Sequence, residues 1–161
     1  MSTKQFWLIK SEPDCYSIDD LKRDGRTCWS GVRNYQARNF MRDQMKCGDL
    51  ALFYHSGSTA PGGPGVAGVA EVCSAPYPDH TALDPDDDHY DPKATEEEPI
   101  WMMVDFKFVE AFPRVVTLKE LKANPKLASM AVLQRGQRLS IMPVSSEHFK
   151  IVRSMAHRMG D

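Results

Sequence analysis

No stretch of this 161-residue sequence approaches the roughly 18 consecutive apolar residues that a membrane-spanning helix requires. The first apolar run, Phe6-Trp7-Leu8-Ile9, is too short for the apolar centre of a secretory leader. The sequence therefore reads as cytoplasmic, or nuclear in a eukaryote, with no membrane partner. Cysteine is sparse. Cys15, Cys28, Cys47 and Cys73 include no pair at CxxC spacing, so no metal site is expected. Without a secretory signal a disulfide framework has no support either, and free, mostly buried thiols are expected. Phosphate-cradling glycine loops, dinucleotide fingerprints, HExxH and GxSxG are all missing, and no cofactor is expected.

A strong charge of one sign is also lacking: the net charge is −2. That balance hides an asymmetry. Between Asp79 and Glu98 lie nine acidic residues (Asp79, Asp84, Asp86, Asp87, Asp88, Asp91, Glu96, Glu97 and Glu98), opposed only by Lys93. The remainder is net basic, with ten Lys and Arg from Pro99 onward, and a local basic face rather than a high overall pI is what nucleic-acid binding demands. A length of 161 residues suits one domain, residues 1–161, with one sizeable core. Nothing in the sequence sets the oligomeric state.

Apolar, β-branched and aromatic runs predict strands at Phe6–Ile9, Leu50–His55, Val66–Val72, Trp101–Phe112 and Arg138–Met142. Gly68 inside its strand predicts a bulge or the close approach of another backbone. Ser17-Ile18-Asp19-Asp20 has the form of a capping box opening a helix that ends at Gly25. Asn34 is placed to cap a second helix whose apolar face takes Tyr35, Phe40 and Met41, with Arg38 and Arg42 on another face. Thr117 caps a third helix, stopped by Asn124-Pro125. Ser145-Ser146 opens a fourth that buries Phe149, Val152 and Met155. The Gly57–Gly65 loop and the acidic, proline-punctuated segment from Pro76 to Pro99 are expected to be mobile connections. Strands dominate and helices intrude without regular βαβ alternation. This is an α+β pattern, with strands closing into a small barrel flanked by short helices.

The chemistry-bearing residues concentrate in the first third. Trp7-Leu8-Ile9-Lys10-Ser11-Glu12-Pro13, Trp29-Ser30-Gly31-Val32-Arg33-Asn34-Tyr35-Gln36-Ala37-Arg38, and Gly48-Asp49 followed by Phe53-Tyr54-His55-Ser56 each end an element, where side chains can converge on a pocket. Such a set offers stacking from Trp29 and a second aromatic, and base-edge hydrogen bonds from Ser11, Asn34 and Ser56. Lys10, Arg33 and Arg38 offer contacts to phosphates. Each residue also has a structural reading: Trp29 as a core edge, Asn34 as a helix cap, His55 as a satisfied strand-end histidine, and Arg33, Arg38 and Arg42 as solvated helix positions.

These blocks, with the strand Gly65-Val66-Ala67-Gly68-Val69-Ala70-Glu71-Val72, the Tyr77-Pro78-Asp79 and Tyr90-Asp91-Pro92 pair and Arg138-Leu139-Ser140-Ile141-Met142-Pro143-Val144, closely resemble the EVE domain, a branch of the PUA-like superfamily. The resemblance runs from about Phe6 to Ile151. It implies a PUA-like mixed β-barrel and a pocket accepting a modified base flipped from DNA or RNA, modified cytosine above all. The related YTH domains use an aromatic cage on methylated adenine. Carried onto this sequence, the family's pocket motifs fall on Trp29, Ser30, Asn34, His55 and Ser56, with Lys10 and Ser11 at the rim; Tyr54 joins the ligand-binding candidates from the Phe53-Tyr54-His55-Ser56 block, and Arg33, Arg38 and Arg42 are the candidates for the nucleic-acid backbone.

Three functions compete on this reading. The leading one is a non-enzymatic reader. The second is an amidohydrolase on a modified nucleoside, which the resemblance to the related ASCH group suggests through Lys10, Ser11 and Glu12. Adjacent strand residues point to opposite faces, however, so Lys10 and Ser11 cannot both serve one centre without a local twist. The third is a module binding a small metabolite or another protein, which demands an exposed apolar patch rather than a basic rim.

Overall fold

The computed structural model of the chain describes residues 4–57, 60, 62–136 and 139–157. Its strands are β1 (Phe6–Ser11), β2 (Arg26–Cys28), β3 (Leu50–His55), β4 (Gly65–Val72), β5 (Tyr77–Pro78), β6 (Met102–Met103), β7 (Asp105–Thr117) and β8 (Ile141–Val144). The α-helices are α1 (Ile18–Asp24), α2 (Tyr35–Asn39), α3 (Leu118–Ala123) and α4 (Ser146–His157). Six strands form one mixed sheet in the order β2-β7-β4-β3-β1-β8, with β1 and β3 parallel and every other pair antiparallel; β5 and β6 pair separately. The sheet is a curled half-barrel flanked by the four short helices, the PUA-like α+β architecture.

The curl has a local cause. Between the pairs Val66↔Val116 and Gly68↔Ala111, β4 supplies Ala67 alone while β7 supplies Phe112 to Val115. Such an excess bends and twists the longer strand, and Pro113 sits inside it, where no ladder donor is needed. At Gly68 a Cβ would stand 2.4 Å from the Glu110 carbonyl oxygen and 2.7 Å from Ile18, so only glycine lets β7 and α1 approach.

Alternation along the strands divides the core. Trp7, Ile9, Ala51 and Phe53 face the side covered by α1, α2 and the 29–33 loop, whereas Leu8, Leu52, Val69 and Met142 face the side covered by α3 and α4. The Ser17–Asp20 capping box forms as the sequence indicates, Thr117 caps its helix and also closes a box with Glu120, and Gly25 ends α1 at φ 77°. The GD turn is a staple: the Asp49 carboxylate accepts from the Gln5 and Lys46 amides and from the Trp7 indole N–H.

Several expectations need correction. Tyr35 does not join the apolar face of α2 but stands 57% exposed, while Met41 is buried; α2 has five residues and gives way to a π-turn at Phe40–Gln44, which rotates the later residues off a 3.6-residue period. Cys15, Cys28 and Cys47 are exposed and Cys73 half-buried, because they lie in turns and at strand edges. The 76–99 segment is not a structureless connection. It contains β5 and a 3₁₀ turn at His80–Leu83, and it packs Ala82 and Ala94 against Trp101. The last strand is Ile141–Val144, with Arg138 outside the described residues, as are Ser58, Thr59 and Pro61 of the Gly57–Gly65 loop.

Candidate nucleobase-sized site

At the C-terminal end of β1, the sheet face covered by α1 and the 29–33 loop opens into a cavity of about 450 Å³, within the usual range of roughly 300–1,000 Å³ for small-molecule pockets. Lys10, Ser11, Trp29, Ser30 and Arg33 line it. Tyr16, Thr27, Cys28 and Ser140 complete much of the wall; no local pattern marks these four as site residues.

Trp29 is fixed twice. Its amide donates to the Val104 carbonyl at 2.9 Å, and its ring meets Phe53 and Phe106 edge-on at centroid distances of 5.6 and 5.4 Å. It is thus both core and wall, 9% exposed. The Ser11 hydroxyl donates to the Tyr16 carbonyl at 2.6 Å, so its proton is committed and it can offer a ligand only lone pairs. Lys10 belongs to the cavity lining, while its ammonium lies 5.8 Å from the centroid of the Tyr54 ring, and burial pulls its pKa down. Burial also pushes up the Tyr16 hydroxyl, with the hydrogen bond to Asp24 adding to the shift.

The 29–33 loop has few apolar anchors, and a buried carboxylate holds it. Asp79, 1% exposed, accepts from the Gly31 amide at 2.7 Å, from Arg33 Nη1 at 3.0 Å, and from the Thr81 amide and hydroxyl. Burial pushes its pKa up, but the hydrogen bonds from Thr81, Gly31 and Arg33 together outweigh burial and hold it below the ordinary carboxylate value. Gly31, at φ 83°, packs so tightly on the His89 ring that a Cβ would meet it at 2.9 Å.

The other candidate residues lie elsewhere. Asn34 accepts from the Ala37 amide as the cap of α2. Tyr54 is buried on the opposite sheet face. His55 Nε2 accepts from the Ile18 amide at 3.1 Å, and burial lowers its pKa in keeping with a neutral acceptor. The Ser56 amide donates to the Ser11 carbonyl. None of these four lines the cavity. Arg33 spends its guanidinium on Asp79, Thr81 and the Val32 and His89 carbonyls, so a phosphate would have to compete with them. Arg38 donates to the Ile100 carbonyl and the Asn39 side chain, and Arg42 pairs with Asp43. Among the described residues, no group of three or more His, Cys, Asp or Glu is placed to hold a metal ion, and no helix is long and apolar enough to cross a membrane.

Comparison with known proteins gives a consistent outcome. The EVE domain profile matches residues 5–155. Human thymocyte nuclear protein 1 is 42% identical over 171 aligned positions, covering 94% of this chain and 74% of that protein. The structure of human THYN1 protein in complex with 5-methylcytosine-containing DNA superposes with a TM-score of 0.88 at 41% identity, over 98% of this chain and 100% of that one. The YTH domain of Zygosaccharomyces rouxii MRB1, in complex with N6-methyladenosine RNA, shares the fold at a TM-score of 0.54 and 17% identity, over 100% of this chain and 89% of that one. The cytoplasmic placement is corrected by these relatives, which are named as nuclear proteins; it rested only on the shortness of the first apolar run, which does not separate the two compartments.

Proposed function

The chain belongs to the EVE domain family, and from that premise we propose that its cavity takes up one modified nucleobase turned out of a nucleic-acid strand, with modified cytosine the ring that suits it best. The observation that carries this reading is the hydrogen-bonding state of Ser11. Its proton is held by Tyr16, so toward the cavity it is an acceptor. An acceptor matches the N4 amino group of cytosine and opposes the O4 carbonyl of thymine. Trp29 and Tyr16 supply the apolar walls for a planar ring. The DNA held by the human relative contains 5-methylcytosine, which supports the same ring class.

Turning a base out costs a few kcal/mol, and one aromatic contact returns about 1–3. Phosphate contacts must add to this, so affinity falls as salt rises. The amidohydrolase alternative has little geometric support. Lys10 and Ser11 diverge, Glu12 is exposed, and no carboxylate or imidazole lines the cavity among the described residues. A general interaction module would show an apolar patch, yet the exposed large hydrophobic residues among those described are Tyr35 and Tyr90 alone.

The test is a titration of labelled strands carrying cytosine, 5-methylcytosine or thymine at one position, at two salt concentrations. The 5-methylcytosine strand should bind tightest. Ser30→Phe, which puts a bulky ring into the cavity wall, should erase the preference and leave a salt-sensitive remainder. Retention of the preference by Ser30→Phe would place the base elsewhere.

A further inference from the structure

Tyr35 is the first residue of α2, two residues beyond the 29–33 loop that walls the cavity. Tyr35 is 57% exposed, yet its ring is not without partners. Its ring stacks on Trp101 at a centroid distance of 4.8 Å and an interplanar angle of 23°. The Arg38 guanidinium lies 4.9 Å from the same ring. Arg38 and the Trp101 ring are 5.9 Å from each other. Were they on opposite faces of Tyr35, they would stand apart by nearly the sum of their two distances to it. They therefore cover one side, and the other face of the tyrosine meets solvent.

The backing is itself anchored. Trp101 is buried, and its indole N–H donates to Asp91 at 2.7 Å. Arg38 hydrogen-bonds neutral acceptors among the described residues, the Ile100 carbonyl and the Asn39 side chain, so no directly paired carboxylate cancels its charge. Arg33 closes the path to the cavity: it lines the cavity wall, and its guanidinium lies 5.3 Å from the Trp101 ring. Cavity, Arg33, Trp101 and Tyr35 are thus a continuous series of contacts ending in an open aromatic face beside a cation. Every nucleotide has a base with a π-face and a phosphate, so such a surface fits a strand without regard to its sequence.

We infer that Tyr35 is a second stacking platform, which receives the base next to the one held in the cavity. The inference rests on the proposed base-binding role of the cavity and extends it from one nucleotide to two.

The experiment compares the parent with Tyr35→Ala and Tyr35→Phe on single strands carrying 5-methylcytosine, with the neighbouring nucleotides either intact or replaced one at a time by abasic sites. Melting temperatures run alongside; an exposed ring should leave them nearly unchanged. Tyr35→Ala should weaken binding to the intact strand about tenfold, Tyr35→Phe should match the parent, and one abasic neighbour should abolish the difference between parent and Tyr35→Ala. If Tyr35→Ala binds every strand as the parent does while the preference for 5-methylcytosine persists, the platform is refuted and the cavity reading stands. If Tyr35→Ala weakens binding but the parent ignores the modification, the cavity reading fails, and Tyr35 is a stacking site in its own right rather than the second of two. A parent that binds no strand overturns both.

Discussion

Both faces of the six-stranded sheet are buried, but they are covered in different ways. The face bearing Leu8, Leu52 and Val69 lies under α4, whose twelve residues present Phe149, Val152 and Met155 as one apolar stripe. The face bearing Trp7, Ile9 and Phe53 lies under two short helices and the 29–33 loop. A helix satisfies its own backbone and can bury an apolar stripe without gaps. A loop cannot, so its amides need outside partners, and Asp79 provides one for Gly31. The cavity sits where irregular backbone replaces a helix, so the polar contacts that hold the loop also shape the site.

Two substitutions of similar cost should separate the faces. Phe149→Ala on the α4 side should lower stability by about 3–5 kcal/mol, and the fraction that remains folded should bind oligonucleotides as the parent does. Asp79→Ala should cost about 3 kcal/mol, because it strands Arg33 and the Gly31 amide, and it should also remove binding from the folded fraction. Denaturant melts paired with titrations at low temperature decide the matter. Equal binding by the two folded variants would break the contrast.

Gly31→Ala makes a smaller change to the same loop. It forces a left-handed conformation on a residue with a Cβ, at about 1–2 kcal/mol, and pushes that Cβ against the His89 ring. Because the ring is exposed it can move, so the stability loss should stay near that range. Binding should still fall by more than the stability change accounts for, since the displaced backbone is cavity wall. Unaltered affinity would detach loop geometry from the site.

The elements that the sequence makes legible are those whose cause is local. Ser17 and Thr117 announce their helices through residues three positions away, and Gly68 marks a close approach because no other residue permits one. Trp29 is recognisable as a site candidate from its polar neighbours. Asp79 is different: it stands at the head of a run of carboxylates that composition reads as solvated, and its burial depends on Gly31 and Arg33, which arrive from more than forty residues away. Tyr35 is misread because a five-residue helix is too short to define a face. Tyr16 and Thr27 carry no pattern; only the curl of the sheet, which brings the β2 edge and the turn before α1 to the end of β1, places them at the cavity.

A pH effect should also originate on the cavity face. His55 is held below its ordinary 6.5, first by burial and against the pull of Asp19 and Asp20. The unfolded chain therefore takes up this proton more readily than the folded one. Stability should be fully present above about pH 6.5 and lost as pH falls from there through the lower folded value. His55→Gln keeps an acceptor for the Ile18 amide and should flatten this part of the profile. A slope unchanged in His55→Gln would assign it to other groups.

The smallest change is Ser11→Ala, and it bears most directly on what the cavity selects. It deletes one hydrogen bond to the Tyr16 carbonyl, worth about 0.5–1.5 kcal/mol of stability. An overall weakening of binding would say little, because any wall residue could cause it. The informative quantity is the ratio of affinities for 5-methylcytosine and thymine in the same strand. The two rings share the methyl group and differ at position 4, an amino donor in one and a carbonyl acceptor in the other. With the Ser11 proton committed to Tyr16, the hydroxyl oxygen attracts the first and opposes the second. Removing it should therefore lower the affinity for 5-methylcytosine, raise that for thymine, and shrink the ratio several-fold. A ratio that survives Ser11→Ala would mean that another group reads position 4, and the acceptor role given to Ser11 would fall with the cavity itself left intact.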